Sequence, residues 1–491
     1  MPDDRSLSII FALLNDYNSL MKLIFPTSLF VYFLFIPLFL QAQEGHKNHW
    51  YFGKGAGLDF SSGSPVSVAN STMIVEEGCV THSDENGDLL FYSNGNNTTS
   101  NGIVAVWNRN HNIMPNGSLF GLTGNSTPMQ SSLVVPMPGS TTKYYLFTLD
   151  GYENYNSPNY KGLTYSIIDM TLDGGLGDVT EKATPLIIPS APILCEQIMA
   201  TKHANGIDYW VILHESGYIN QDNTNQFIRY RISPSGISNP ESQYIGIENS
   251  AGMQSTMQIS AQGDKLAFNW EIFDFDNETG MLSNPRATGS SWGYREFSKS
   301  GRFLYVAMWS EGLFQYDTEA PNIAASVYQI SSHPRFSQLQ IAPDGKIYIS
   351  MDFYNGVFQP YLSVINNPDV QGVGCGFVHN QLELASGVCV LGLPNFIDYD
   401  PKMPQNGLSD NKIDQQLFIS PNPASTTITV KYNDINSYPL ITIFDLQGKL
   451  ILSHTCNMTG EQIDISSVQP GSYIAMVEID HSVQWMNLVI Q

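Results

Sequence analysis

Short apolar runs broken by a glycine-containing turn recur through the middle of the chain. They read SDENGDLLFYS (83–93), PGSTTKYYLFT (138–148), KHANGIDYWVI (202–212), SAQGDKLAF (260–268), SKSGRFLYVA (298–307) and APDGKIYIS (342–350). A glycine turn of the Asn-Gly or Asp-Gly kind between alternating apolar positions is the strongest short-range signal for a β-hairpin, because such turns need positive φ. The pattern predicts six hairpins. A strand running into another turn follows each of them: VWNRNHNIMPNG (106–117), YSIIDMTLDGGLGDV (165–179), IRYRISPSGISNP (228–240), FDFDNETGMLSNP (273–285), FQYDTEAPNIAAS (314–326) and LSVINNPDVQG (362–372). Hairpin plus following pair makes four strands. Four-stranded sheets repeated along a chain predict a β-propeller.

Two pieces are left over at the ends of this region. GLDFSSGSPVSV (57–68) matches the second phrase with no hairpin before it, and VLGLPNFIDY (390–399) reads as an unpaired strand. Pairing the two completes a seventh blade and removes the free sheet edges that invite aggregation. The expectation this makes is specific: the segments around Trp50 and Phe396 lie together. Residues 43–402 spread over seven blades give about 51 residues each, near known propeller repeats. The period is irregular, so six- and eight-bladed rings are the alternatives.

Residues 403–416 (MPQNGLSDNKIDQQ) are polar and aperiodic and read as a linker. Short alternating runs resume in LFISPNPASTTITVKY (417–432), ITIFDLQGKLILSH (441–454), QIDISSV (462–468), SYIAMVEI (472–479) and VQWMNLVIQ (483–491). Strands at this spacing predict a small β-sandwich. The expected fold class is therefore all-β: a seven-bladed β-propeller followed by a small C-terminal β-sandwich over 417–491. At the other end, Met21-Lys22 precedes an apolar stretch from Leu29 to Leu40 and then Gln41-Ala42-Gln43. A basic start, a dozen apolar residues and a small exit residue describe a signal peptide over 21–42. That run is short for a membrane span, so no transmembrane span is expected in the mature protein. Residues 1–20 are acidic where a signal carries positive charge, and they are read as an upstream extension with Met21 as the start.

Composition narrows the partners. The 45 acidic residues against 22 basic ones give a net charge of −23, which repels a polyanion and argues against nucleic-acid binding. The five cysteines, Cys79, Cys195, Cys375, Cys389 and Cys456, contain no CxxC pair and hence no zinc or redox motif. Cys375 and Cys389 pairing in an oxidising compartment and buried free thiols are both open readings.

Several motifs carry resemblances. Ser420-Pro421-Asn422-Pro423, Phe444-Asp445, Gly448-Lys449, Ile465-Ser466 and Pro470-Gly471-Ser472-Tyr473 resemble the type A C-terminal sorting domain of the Bacteroidetes type IX secretion system. The resemblance implies export across the inner membrane and passage through the outer membrane, with the type IX machinery as partner and a secreted or outer-surface location. The last strand departs from the family, reading Gln484-Trp485-Met486-Asn487 where basic residues are usual. WYFGKGAGLDFSSGSP (50–65), EGCVTHSDENGDLLFYSNG (77–95), VWNRNHNIMPNG, YSIIDMTLDGGLGDV and GLPNFIDY (392–399) are similar to an uncharacterised propeller region of large Bacteroidetes surface proteins. That similarity implies a surface location and carries no activity.

Propellers bind ligands where the innermost strands converge. If the strand before each hairpin turn is innermost, counting back nine or ten residues from each turn glycine reaches equivalent positions. These are Glu77, Met129-Gln130, Glu196-Gln197, Met253-Gln254, Ser291-Trp292 and Arg335-Phe336. Amides, carboxylates and an aromatic face suit a glycan, a peptide or a protein, which makes Glu77, Gln130, Glu196, Gln197, Gln254, Trp292 and Arg335 the candidate ligand-binding set. The competing reading has the same side chains bonding sheet to sheet and filling the channel. Trp107, Arg109 and His111 read as a strand and its turn. Asp274, Asp276 and Glu278 alternate as calcium ligands do but lack the EF-hand pattern. His203, His214 and Glu215 read as a solvated edge. No GxSxG, HExxH or Walker pattern occurs, and no cofactor motif is visible. Non-enzymatic recognition is the leading functional expectation. The alternatives are a secreted polysaccharide hydrolase using Glu77 and Glu196 and a structural cell-surface component.

Overall fold

The computed structural model describes residues 45–95, 103–118, 128–151, 154–158, 160–186, 188, 193–217, 224–249, 255–289, 293–353, 357–397, 418–421, 423–431, 439–445, 449–456, 461–479 and 482–491. The signal-peptide and linker expectations fall outside these residues. Contacts divide the chain into two compact units, Met1–Pro401 and Lys402–Gln491.

Among the described residues the first unit has seven antiparallel sheets in chain order, a propeller-like arrangement. Each of the six predicted glycine turns joins the first two strands of a sheet. The second sheet holds Val80–Ser83, Leu89–Ser93, Ala105–Asn108 and Ile113–Ser118, and the third Ser132–Pro136, Lys143–Leu149, Leu163–Asp169 and Asp178–Leu186. The fourth holds Leu194–Lys202, Tyr209–Glu215, Thr224–Ser233 and Gly236–Ile237, with Glu241–Asn249 as a further strand against Thr224–Ser233. The fifth comprises Gln258–Ile259, Lys265–Phe268, Glu271–Asp276 and Met281–Ala287. The sixth comprises Tyr294–Phe297, Phe303–Met308, Gly312–Asp317 and Tyr328–Ser331. The seventh comprises Phe336–Ile341, Ile347–Met351, Tyr361–Ile365 and Phe377–Glu383. The turn glycines Gly87, Gly139, Gly206, Gly263, Gly301 and Gly345 all have positive φ, between 68° and 91°, which is the conformation that selects glycine.

First strands of successive sheets lie against one another from the second sheet to the seventh. Burial follows from that placement. Leu194–Lys202 is buried along almost its whole length, whereas the fourth strand Asp178–Leu186 alternates buried and open positions. Inner strands have a sheet on each side and outer strands have water on one. The apolar core is correspondingly split into layers between sheets. Phe91 and Val106 pack with Leu146 and Ile168 between the second and third sheets. Phe147 packs with Val211 and Tyr230 between the third and fourth, and Ile212 with Leu266 and Phe273 between the fourth and fifth.

The first sheet has three strands, His49–Phe52, Ala56–Asp59 and Val66–Val68. The chain returns beside it through residues 388–396. Lys54 bridges Val388, Cys79 bridges Pro394, and the rings of Trp50 and Phe396 are 5.9 Å apart. Over 390–397, the described part of the expected strand, the pairing is the single bridge at Pro394. Pro394 has no N–H for a ladder, and Gly392 passes so close to Glu77 O that a Cβ would sit 1.8 Å from it.

The supposed solvated edge is also different. His203 and His214 are buried. His203 stacks on Trp210 at 5.4 Å, and His214 lies between Phe227 and Phe268 at 4.6 and 4.8 Å. Burial pushes the His214 imidazole down to about 4, against the opposing effect of its bond to Glu215 O. His82 is shifted the same way, by burial and then by His46. The unfolded imidazole titrates near 6.5, so this stability is complete above pH 6.5 and is lost as pH falls towards 4. For His214 alone the loss is about 3 kcal/mol. Urea titrations at pH 7 and pH 4.5 are expected to show His214→Leu losing less stability on acidification than the wild type. Equal losses would contradict the assignment.

Among the described residues the second unit has two antiparallel sheets. One contains Phe418–Ser420, Thr427–Lys431 and Gln462–Asp464. The other runs Leu450–Thr455, Leu440–Phe444, Gly471–Ile479, Ser482–Ile490. Ile428, Val430, Ile441, Ile443, Ala475 and Val477 form one core shared by both sheets. Among the described residues all five cysteines are free and buried. Cys389 donates to the carbonyls of Gln359 and Tyr361 at 3.2 Å.

Candidate functional site

The innermost strands of the first unit present their starts at one end and their hairpin turns at the other. Antiparallel pairing puts each second-to-third-strand turn at the end where the first strands start. The five predicted ligand residues that are described, Glu77, Gln130, Glu196, Gln197 and Arg335, sit at or near that end, and the structure separates them into two groups.

Gln130 and Gln197 are fully buried. Gln130 Nε2 donates to Met257 O at 3.0 Å and to Asn395 Oδ1 at 3.4 Å, while its Oε1 accepts Met257 N–H at 2.8 Å. Gln197 Nε2 donates to Ser255 O at 2.9 Å. These amides tie sheet to sheet. They are joined by the returning segment, whose Asn395 Nδ2 donates to Ser132 O and Ile198 O, both at 3.0 Å. Asn395 N–H reaches Cys79 O at 2.8 Å, and Leu393 N–H reaches Gln338 Oε1 at 2.8 Å. The polar seam continues through Gln258, which donates to Glu296 Oε2 at 2.9 Å; the same oxygen accepts Ile341 N–H at 3.1 Å. Buried polar groups of this kind are stable only when paired, and here the pairing links the second, third, fourth and seventh sheets through one segment.

The second group makes no such seam, and of its members Arg335 and Glu77 are partly open while Glu196 is buried. Arg335 lies over the Trp309 ring at 3.5 Å and pairs with Asp352 at 3.2 Å. Trp309 Nε1 donates to the same Asp352 oxygen at 2.9 Å, and Arg335 N–H donates to Trp309 O at 2.7 Å. Glu77 is half-buried and Glu196 buried. Tyr294, itself buried, has its hydroxyl pushed up by burial first, with the charges of Glu77, Asp352 and Glu196 adding to it and a bond to Ser337 opposing. Gln254 and Trp292 lie outside the described residues.

Sequence reasoning missed the aromatic component of this end. Trp270, Trp309 and Phe353 follow the second strands of the fifth, sixth and seventh sheets, and they are 39%, 39% and 44% exposed. The signal was present in FNWE, AMWSEG and SMDF. It is visible only when the exits of second strands are aligned, as the entries of first strands were.

The other singled-out residues are engaged locally. Trp107 stacks on Tyr92 at 5.4 Å, His111 meets Tyr92 Oη at 3.3 Å, and Arg109 donates to Gly175 O. Asp276 accepts from Glu278 N–H and Thr279 Oγ1, at 2.9 and 2.8 Å, in its own turn. Asp274 pairs with Arg286 and accepts from Asn284.

Residues 419–491 match the family of secretion system C-terminal sorting domains, here of the Bacteroidetes type IX system. The protein is sorted by that machinery and is secreted or displayed at the outer cell surface. No helix among the described residues is long and apolar enough to cross a membrane. No curated protein matches the chain. Among solved structures, the Dos1 propeller is 14% identical at a TM-score of 0.39, with 70% of this chain and 83% of that one covered. The extracellular domain of a putative one-component system from B. thetaiotaomicron is 12% identical at 0.36, with 90% and 55% covered. A luciferin-regenerating enzyme is 11% identical at 0.33, with 64% and 95% covered.

Proposed function

We propose that residues 43–402 form a closed seven-bladed propeller that recognises a surface glycan without turnover, and that the module over 417–491 is a β-sandwich serving as its detachable export label. The carrying observation is the exposed Trp309 ring with the Arg335–Asp352 pair against it, and the exposure of Trp270 and Phe353 at the corresponding exits of the neighbouring sheets. Flat, exposed aromatic rings offer apolar area to the ring face of a sugar, and a neighbouring guanidinium and carboxylate give directional bonds to its hydroxyls. Support for closure comes from the bridges at Val388 and Pro394 and from the Trp50–Phe396 contact.

The hydrolase alternative rests on Glu77 and Glu196, whose charges both act on the Tyr294 hydroxyl, since glycosidases work with two positioned carboxylates. A glycan array combined with a hydrolase panel on the exported protein separates the readings. Recognition predicts retained ligand with no products. Turnover that Glu77→Gln or Glu196→Gln abolishes would overturn it, and an array and panel both silent would favour a structural component.

A further inference from the structure

The Trp309 stack is the first half of a longer run. Phe353 N–H donates to Asp352 Oδ1 at 2.6 Å, so Phe353 stands beside the carboxylate that takes both Trp309 and Arg335. Farther along, the Phe353 and Phe358 rings are 5.0 Å apart and inclined at 64°. Lys54 Nζ lies 3.9 Å from the centre of the Phe358 ring and pairs with Glu76 at 3.2 Å. Lys54 belongs to the turn between His49–Phe52 and Ala56–Asp59, and Glu76 leads into the second sheet. The contacts therefore continue from the sixth sheet through the seventh to the first.

One arrangement occurs twice along this run: an aromatic ring, a cation laid over it and a carboxylate holding the cation. Trp309, Arg335 and Asp352 make the first copy. Phe358, Lys54 and Glu76 make the second, and Phe353 joins them. The second copy is fixed by the returning segment. Lys54 N–H donates to Val388 O at 3.0 Å, Leu391 N–H donates to Glu76 O at 2.9 Å, and Cys389 N–H donates to Gln359 O, next to Phe358, at 3.0 Å. Groups held before a ligand arrives lose little freedom on binding. A sugar ring with equatorial substituents has C–H groups on its face and hydroxyls on its rim. An aromatic ring suits the face, and an ion pair gives the rim both donors and acceptors. Two such arrangements in series suit successive units of one chain. Each cation is matched by its own carboxylate, which favours an uncharged chain.

We infer that this run takes a linear, uncharged glycan of equatorially linked units, with one subsite at Trp309 and a second at Phe358. The inference rests on the glycan reading above and adds the length and class of the ligand. The exported full chain is titrated by calorimetry with β-1,4-linked gluco-, xylo- and manno-oligosaccharides of increasing length, from the monosaccharide to the hexasaccharide. In at least one series the affinity is expected to rise about tenfold or more from the disaccharide to the hexasaccharide, because engagement of the second subsite is then intramolecular. Phe358→Ala and Lys54→Met are each expected to remove that rise while leaving the disaccharide affinity in place. Trp309→Ala is expected to weaken short and long chains alike. Should Phe358→Ala lower the thermal midpoint, Lys54→Met carries the test. A disaccharide bound as tightly as the hexasaccharide, or a length dependence that survives both variants, overturns the inference and leaves the Trp309 site standing. Silence of all three series while the glycan array reports another ligand overturns the linear chain alone. Silence of the series and the array together removes the recognition reading with it.

Discussion

Replacing Asn395 with alanine lowers the thermal midpoint of the first unit by about 4 °C. The side chain donates to Ser132 O and Ile198 O and accepts from Gln130. Its loss strands two buried carbonyls, weakens the pairing of a buried amide and leaves a small void. Each unsatisfied buried group costs about 1–3 kcal/mol, so the total is about 3 kcal/mol or more. For a unit of this size that converts to roughly 4 °C, from an unfolding entropy of about 2 cal/mol/K per residue. Asn110 is exposed, and Asn110→Ala changes the midpoint by less than about 1 °C. Differential scanning calorimetry of the two variants reads the contrast directly. Equal midpoints would mean that the returning segment does not hold the inner strands together.

Truncating Trp309 to alanine is expected to weaken the proposed glycan binding at least thirtyfold while the fold survives. The ring is the centre of a stack in which Arg335 covers one face and Asp352 takes the indole N–H. Removing it takes away the flat surface and frees the guanidinium to move. An exposed cation–π contact is worth about 0.5–1 kcal/mol, whereas loss of an aromatic anchor at a binding site typically costs 2 kcal/mol or more. Binding therefore falls at least thirtyfold with a small change in stability. Arg335→Ala weakens binding less, because the Trp309 ring remains. Surface plasmon resonance with the array's best ligand measures both variants. Unchanged affinity in Trp309→Ala would remove the aromatic face from the proposed function.

The hairpins were legible because their cause is local. A glycine at positive φ between alternating apolar residues specifies its turn without help from the rest of the chain, and Gly87 or Gly345 could be placed from ten residues of context. The inner-strand positions were legible for a related reason: register along a strand is counted from the turn. The roles at those positions were not legible. Glu196 and Arg335 both stand ten residues before their turn glycines, yet Glu196 is buried and Arg335 is partly open beside Trp309. Which of two aligned polar residues meets water depends on what a distant segment covers, and a strand's own sequence does not record it. The same distance effect hid the burial of His214, whose Phe268 neighbour belongs to the following sheet. The extra strand Glu241–Asn249 was missed because the turn at Pro234–Gly236 already accounted for a complete four-stranded unit.

Ring closure requires the two ends of the first unit to meet, and a cysteine pair across that junction tests it. Ala385 N–H donates to Ser67 Oγ at 2.7 Å although the residues are 318 apart in sequence, and both positions are at least partly open to solvent. In Ser67→Cys/Ala385→Cys, mild oxidation is expected to form an internal disulfide nearly completely, seen as faster migration on a non-reducing gel and a raised thermal midpoint. Thiols that stay free, or that join only between molecules, would show that the junction does not exist.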